Sequence, residues 1–502
     1  MRRRAILAVL VGAASLLAVS GPISAADRPV NVLFVATDDC NAQLACYGRE
    51  MVKTPNMQRL AARSVKFDRA YCQYPLCSPS RVSLMTGLRP DTTRIYDLQT
   101  DFRKSTMPDV ITLAQMFRIN GYYSARVGKI FHYGVPGDIG KSGLDDPMSW
   151  DEVVNPHGHD KKIEDKIHNY TPNRGLGSSL AWYDDEGMAD DQTDGVGASE
   201  TIKLLEKHKD KPFFIACGFY RPHTPYVATH EQYNMYTLDD IRLPEDWRGP
   251  AADVPKAALW TSPPNWGVPE EDLKRSIRGY YASIALMDKQ LGRLLDALDR
   301  LKLAENTVIV FWSDHGYMLG QHGQWMKQAL WEQAARVPFM VSLPGARGNG
   351  KASPRTVELV DIYPTLADLF GLEAPSNLAG KSLRPLIDDP NASWDKAGYS
   401  QVMRGGKQAG SFMGYAVRNE RWRYVEWDGG AKGVQLYDED NDPEELHNLA
   451  NDPQHAQTVA EMKALLHKVP QSPPAFKESA GEQPVKKKGK GKKKKAAEGA
   501  AE

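Results

Sequence analysis

The chain has 502 residues, 41% apolar and 25% charged, with a formal net charge of zero and five cysteines. That is enough for one large domain with a smaller companion, and too few cysteines for a disulfide scaffold. Residues 486–502 carry a surplus of six positive charges and Arg2, Arg3 and Arg4 add three, so residues 5–485 sum to −9 and no nucleic-acid-binding body is expected.

The first predicted element is a targeting segment. Arg2–Arg4 precede an apolar run from Ala5 to Val19, and Ser24-Ala25-Ala26 forms a small-residue cleavage site before Asp27. This reads as a signal peptide over 1–26, which makes the mature chain periplasmic or secreted with no integral membrane span. The export route stays open. In an exported protein the odd set Cys40, Cys46, Cys72, Cys77 and Cys217 leaves one thiol unpaired or otherwise used, and the pairing of the others is open.

Val30–Ala36 is a continuous apolar run, as in a buried parallel strand, and it ends at Asp38 and Asp39. "LCSPSRVSLMTG" then reads as a helix start: Pro79 suits the first turn, Gly87 is a stop, and Arg81 follows Cys77 by four residues. Cys77 at such an N-terminus is either a buried capping residue or a thiol eased toward ionisation by the helix dipole. A helix is predicted over Pro108–Asn120, and "GYYSARVGKIFHYG" puts Lys129 and His132 three apart. Asn155–Gly195 is a polar stretch predicted to form rim loops. Pro212–Gly218 is a second buried strand, followed by Arg221, Pro222 and His223. Leu273–Leu301 has helical spacing. Thr307–Trp312 is a third strand, running into Ser313, Asp314 and His315, with Lys327 twelve residues beyond that histidine. Val337–Leu343 is a fourth. The alternation predicts an α/β fold with helices on both faces of a mostly parallel sheet.

Past Asp395 the texture changes to short antiparallel strands and a helix at Gln457–His467. The expected organisation is a catalytic domain over 27–395, a C-terminal α+β subdomain with an antiparallel sheet over 396–470, and a disordered Lys-rich tail over 471–502.

The chemistry collects at strand ends, where open α/β sheets bind ligands. Asp38, Asp39 and Asp314 offer oxygen donors suited to a hard divalent cation, Ca²⁺ or Mg²⁺. Arg81, Lys129, His223 and Lys327 could surround that cation with further positive charge, which calls for an anionic substrate. Taken singly, each also reads as a solvated lysine or a structural histidine.

"CSPSR" resembles the Cys-x-Pro-Ser-Arg signature of the type I, formylglycine-dependent sulfatases, and "GYYSARVGKIFH" resembles their second signature. "DDCNAQLACYG", "RPDTTRIYD", "RPHTPY", "SDHGYMLGQHGQWMK" and "VPFMVSLPG" follow in the order of the branch acting on 2-O-sulfated iduronate. The resemblance spans nearly all of 30–465. It implies an alkaline-phosphatase-like sandwich, and conversion of Cys77 by a formylglycine-generating enzyme to an aldehyde whose hydrate attacks sulfur. It implies one Ca²⁺ on Asp38, Asp39, Asp314 and the modified Cys77, with His315 at or beside it. Arg81 and Lys129 would hold the hydrate and the oxygens on the metal. Lys327 and His223 would bind sulfate and protonate the leaving oxygen, and His132 would orient the hydrate and take its proton. The expected substrate is a 2-O-sulfated uronic acid of a glycosaminoglycan or other polysaccharide. Another sulfated sugar, a phosphonate or phosphate ester, and a silent glycan-binding role are the alternatives. Oligomeric state stays open.

Overall fold

The computed structural model describes residues 31–405 and 410–473. The expected signal peptide, and the tail from 474 onward, lie outside the described residues. The first strand, β1 (Asn31–Asp38), is buried along its whole length. Successive side chains of a strand point to opposite faces, so Leu33 and Val35 enter one core while Val32, Phe34 and Ala36 enter another. A strand buried on both sides explains the unbroken apolar run.

Seven further strands join it: β2 (Val65–Tyr71), β3 (Tyr123–Gly128), β4 (Glu152–Val154), β5 (Phe213–Pro222), β6 (Thr307–Ser313), β7 (Phe339–Ser342) and β8 (Lys351–Glu358). Their order is β8-β2-β7-β6-β1-β5-β3-β4. All neighbours are parallel except at β7, which runs against both β6 and β2. Helices α1 (Cys77–Thr86), α2 (Leu113–Ile119), α3 (Thr193–His208), α4 (Glu270–Arg300) and α5 (Ile362–Phe370) cover the sheet. Leu204, Leu205, Ile277 and Leu291 of α3 and α4 pack on the Leu33 face; Leu84, Phe117 and Leu366 of α1, α2 and α5 pack on the Phe34 face. Phe34 sits 5.4 Å from Phe214 and 5.3 Å from Trp312, ring centre to ring centre. Each such buried aromatic contributes about 2 kcal/mol or more.

The C-terminal part is an antiparallel sheet of β9 (Gly398–Arg404), β10 (Phe412–Arg418), β11 (Trp422–Trp427) and β12 (Val434–Asp438), in that order. Helix α6 (Ala456–Leu466) lays Met462 and Leu466 into the same cluster as Tyr424 and Trp427. Beyond it, the backbone N–H of Ser472 donates to Asp91 at 2.8 Å.

The structure departs from expectation in three places. The helix predicted from Pro108 begins only at Leu113, where Thr112 and Gln115 cap each other's backbone. Strands β2 and β8 escape the apolar-run reading, because Lys66, Asp68, Arg69, Lys351 and Arg355 interrupt them. The stretch Asn155–Gly195 is also more than rim. Ala181–Asp185 pairs with His168–Asn169 and with Tyr226–Thr229 in a separate sheet, and α3 begins inside it. Gly195 lets α3 start there, since a Cβ would meet the backbone oxygens of Ala189 and Asp190 at 2.4 and 2.5 Å.

The parallel run β6-β1-β5-β3 brings four carboxyl ends to one edge. Asp38 closes β1, Asp314 follows β6, His223 follows β5 and Lys129 follows β3. Gly128 makes the last turn possible. Its φ is +73°, and a Cβ there would lie 2.1 Å from the Gly218 carbonyl oxygen, which accepts from Lys129 N at 2.9 Å.

Candidate active site

Helix α1 aims its N-terminus at that edge. Cys77 is its first residue, and Leu76 before it is extended with no side-chain cap, so the first-turn N–H groups are free of an intrahelical partner. Gly87, with φ of +68°, ends the helix where the sequence places the stop. Ser80 Oγ donates to the Asp314 carbonyl oxygen and pins the helix to the end of β6.

Arg81, one turn on, is wholly buried. Its Nε donates to Asp314 Oδ2 at 2.9 Å and its Nη2 to Asp38 Oδ1 at 3.0 Å. Its Nη1 donates to the carbonyl oxygens of Lys129 and Ile130. Arg81 therefore ties together the ends of β1, β6 and β3. Lys129 Nζ takes the other oxygen of Asp38 at 2.6 Å. Burial would raise the Asp38 carboxyl, but Lys129, with His223 and Arg81, holds it well below the usual range.

Asp39, directly after the strand, brings its carboxylate to the same point as Asp38 with a backbone φ of +64°. This left-handed conformation costs about 1 kcal/mol and is held by its N–H to Asp314 Oδ1 at 3.1 Å and by Tyr280 Oη donating to its carbonyl oxygen at 2.8 Å. Its Oδ1 accepts from Lys327 Nζ at 2.6 Å and lies 3.2 Å from His315 Nε2. Its Oδ2 is buried with no hydrogen-bond partner and faces His223 Nε2 at 3.7 Å.

The Cys77 sulfur sits among these groups: 3.0 Å from Lys327 Nζ, 3.4 Å from His315 Nε2 and 3.7 Å from Asp39 Oδ1. Burial would push its thiol up; Lys129 and Lys327, with hydrogen bonds from His132 and His223, bring it well below the ordinary value. The other four thiols are unpaired as well, so no cysteine is spent on a disulfide. Cys40, Cys46, Cys72 and Cys217 are all pushed up, chiefly by burial.

The donor set fits a divalent cation. Asp39, Cys77, Asp314 and His315 offer ligand atoms within 4.8 Å of one another, and Asp38, Asp39, Cys77 and His223 do the same. His315 Nδ1 lies 2.8 Å from the Gly316 carbonyl oxygen, so Nδ1 keeps its proton, and Nε2, facing the cluster, can trade its own proton for a cation. The packed carboxylates repel: Asp314 is pushed up to about 7 by burial and by Asp38, against Arg81 and His315. His315 is pushed up to about 9 by Asp314 and Asp39, against burial. A cation among them offsets the carboxylate repulsion and takes the place of the His315 Nε2 proton, and the buried Asp39 Oδ2, without a hydrogen-bond partner, is the kind of atom it would take.

All the residues singled out in sequence converge here: Asp38, Asp39, Cys77, Arg81, Lys129, His132, His223, Asp314, His315 and Lys327. His132 is buried, with Nδ1 unpartnered. Sequence reasoning missed the groups that hold these. Tyr280 of α4 bridges the Asp39 carbonyl and the Asn41 N–H. Ser313 Oγ accepts from Cys40 N and donates to the His315 carbonyl oxygen. Tyr280 could not be told from a core tyrosine by periodicity, whereas Ser313 was flagged only as part of a strand end.

The family model described as Sulfatase matches residues 30–372. The chain belongs to the sulfatase family. A second model, the C-terminal region of N-sulphoglucosamine sulphohydrolase, matches residues 320–472. Iduronate 2-sulfatase of Mus musculus is 34% identical over 86% of this chain and 93% of its own length. Choline-sulfatase of Rhizobium meliloti is 31% identical over 84% of the chain and 83% of its own. Among solved structures, phosphonate monoester hydrolase of Agrobacterium radiobacter superposes with a TM-score of 0.71 at 25% identity, covering 88% of this chain and 95% of that one. This sulfatase is therefore a sulfuric ester hydrolase, with the large mixed sheet and small C-terminal antiparallel sheet expected of it, and its family works with a formylglycine and a divalent metal ion.

Proposed function

We propose that this sulfatase removes the 2-O-sulfate of a uronic acid in a sulfated polysaccharide or glycosaminoglycan, using a formylglycine made from Cys77 and one Ca²⁺. The observation that carries the reading is the Cys77 sulfur at the N-terminus of α1, 3.0 Å from Lys327 Nζ and 3.4 Å from His315 Nε2. Asp38, Asp39, Asp314 and His315 would hold the calcium, with residue 77. When present, the formylglycine hydrate supplies an oxygen nucleophile, and the cation supplies the charge that makes it acidic.

The chain's own residues do the rest. Arg81 fixes the directions of Asp38 and Asp314, and Lys129 neutralises Asp38 and draws negative charge to position 77. Lys327 Nζ binds a sulfate oxygen and stabilises charge as the S–O bond lengthens. His223 Nδ1 lies 2.6 Å from the Thr224 carbonyl oxygen, so its Nε2 faces the site; with both ring nitrogens protonated, Nε2 gives a proton to the leaving alcohol oxygen and the Nδ1 proton stays hydrogen-bonded to the carbonyl. His132 orients the hydrate and accepts its proton.

The uronate assignment is supported by the match to iduronate 2-sulfatase along 86% of the chain. Turnover of a panel of defined sulfated saccharides tests it: fastest release from a 2-O-sulfated uronate supports it, and preference for another sulfated sugar overturns it. A phosphonate ester is the second reading, favoured by the 0.71 TM-score; nitrophenyl sulfate outpacing nitrophenyl phenylphosphonate on one sample would remove it. Maturation requires a formylglycine-generating enzyme, which a mass spectrum of the residue-77 peptide reports. The arginines and apolar run of 1–26 mark the chain for export, and a mature protein starting at Asp27 would bear this out.

A further inference from the structure

The stretch Asn155–Gly195 grips the His223 loop from both sides. Arg221, two residues before the histidine, is 3% exposed. Its Nη2 donates to Asp160 Oδ2 at 2.6 Å, and Nη1 donates to the carbonyl oxygens of Pro225, at 3.0 Å, and His223, at 3.4 Å. The other oxygen of Asp160 accepts from Thr193 N at 2.8 Å and Thr193 Oγ at 2.6 Å. Asp160 is thus anchored to the start of α3 and holds a guanidinium that spans the histidine backbone. Asp194, the next residue on α3, accepts from Tyr220 N at 2.8 Å and Arg221 N at 3.0 Å. Beyond the histidine, Thr224 Oγ donates to Ser179 O at 2.7 Å, and Thr224 O is the atom that fixes the His223 tautomer. Among the described residues, Asp160 is the sole carboxylate in ion-pair contact with Arg221.

The geometry points to Asp160 as a positioning residue for the leaving-group proton, acting through Arg221 on His223. The inference rests on His223 being the acid, as proposed above. In that step His223 starts as the imidazolium; the S–O bond electrons pass to the substrate oxygen as it takes the Nε2 proton, leaving the neutral ring with its Nδ1 proton hydrogen-bonded to the Thr224 carbonyl oxygen. Proton delivery matters in proportion to the basicity of the departing oxygen. A sugar alcohol needs it, whereas a nitrophenolate departs largely without it. A displaced histidine therefore slows some esters far more than others. A general loss of packing slows all alike, which separates the two roles.

The test is a series of aryl sulfates of rising phenol basicity, together with one sulfated saccharide, on matured enzyme. Asp160→Asn keeps the volume and a Thr193 contact but removes the charge. We expect kcat to fall by about 100-fold on the saccharide and by less than about fivefold on nitrophenyl sulfate, with KM little moved and Asp160→Glu recovering part of the loss. His223→Ala should steepen the same dependence, and adding Asp160→Asn to it should steepen it no further. Equal losses on all esters for Asp160→Asn, beside a steepened series for His223→Ala, would overturn the positioning role alone. A flat loss for His223→Ala would overturn the acid assignment itself. If Asp160→Asn does not fold, Arg221→Lys carries the same comparison, with the same results deciding.

Discussion

Two of the buried charge clusters among the described residues are built differently. One is the strand-end site. The other is the seam where the C-terminal sheet meets the segment after Lys327. In the seam, Arg423 pairs with Glu332, with Glu445 at 2.8 Å and with Glu439 at 3.3 Å. Arg418 reaches Glu439 and Glu332 at 3.4 and 3.5 Å. Tyr71 Oη donates to Glu332 at 2.9 Å, and the Glu332 N–H donates to Glu445 at 2.6 Å. Charges there answer one another: Arg418 Nε and Glu445 Oε1 make no hydrogen bond, yet each faces an opposite charge, at 3.4 and 2.8 Å. At the strand ends Asp39 Oδ2 and His132 Nδ1 are also buried without hydrogen-bond partners, and there a thiol stands among lysines and histidines. Neither buried charge nor an unpartnered atom alone marks a reaction site. A nucleophilic group held among opposed charges where strand ends converge does.

The comparison breaks most sharply at Cys77. Cys77→Ala should lower kcat/KM by about 10⁴-fold or more with little change in melting temperature, measured on nitrophenyl sulfate and by calorimetry. Comparable activity in that variant would place the nucleophile elsewhere. Stripping divalent metal is the next largest effect. Activity should fall by about 10²–10³-fold and return on adding Ca²⁺, while elemental analysis shows about one calcium per native chain and none on Asp39→Asn. The seam should ignore the same treatment. Arg423→Met should instead cost about 3 kcal/mol of stability, since it strands buried carboxylates, with kcat changed by less than about threefold. A loss of turnover exceeding the loss of folded protein would show that the seam belongs to the site.

The strand-end site was legible because its residues follow immediately on apolar runs. Asp38–Asp39, Asp314–His315 and His223 are each within a few residues of a strand whose burial on both faces is written in its composition. Lys129 and Lys327 were legible only through local motifs, because β3 carries Arg126 and no run, and Lys327 lies in irregular backbone. The seam was illegible. Glu332, Arg418 and Arg423 are 91 residues apart from first to last, and nothing local tells a buried glutamate from a solvated one. The same holds for Asp160, whose neighbours His159, Lys161 and Lys162 read as a solvated surface, while its partner Arg221 is 61 residues away.

The gentlest test separates the clusters by proton. Glu439 is pushed up to about 7, by burial and then by Glu332, while Glu332 is held down at about 2 by Arg423 and Arg418 despite burial. The two act with opposite sign. A raised acid binds its proton more tightly when folded, so stability from Glu439 grows as pH falls from about 7 toward its unfolded value near 4.5. A depressed acid contributes stability that is present above 4.5 and lost as pH falls toward about 2. The seam should therefore be firmest just above pH 4.5, with a slope on either side of at most about 1.4 kcal/mol per pH unit for one proton. Glu439→Gln should lessen the slope above 4.5, to which Asp314, also pushed up to about 7, adds its own part, and leave the acid arm in place, read from denaturant midpoints at half-unit steps of pH. If that variant leaves the upper arm intact, the shared proton of the seam lies on Glu445, which burial and Glu439 also push up, and the closed character of the seam rests on that residue instead.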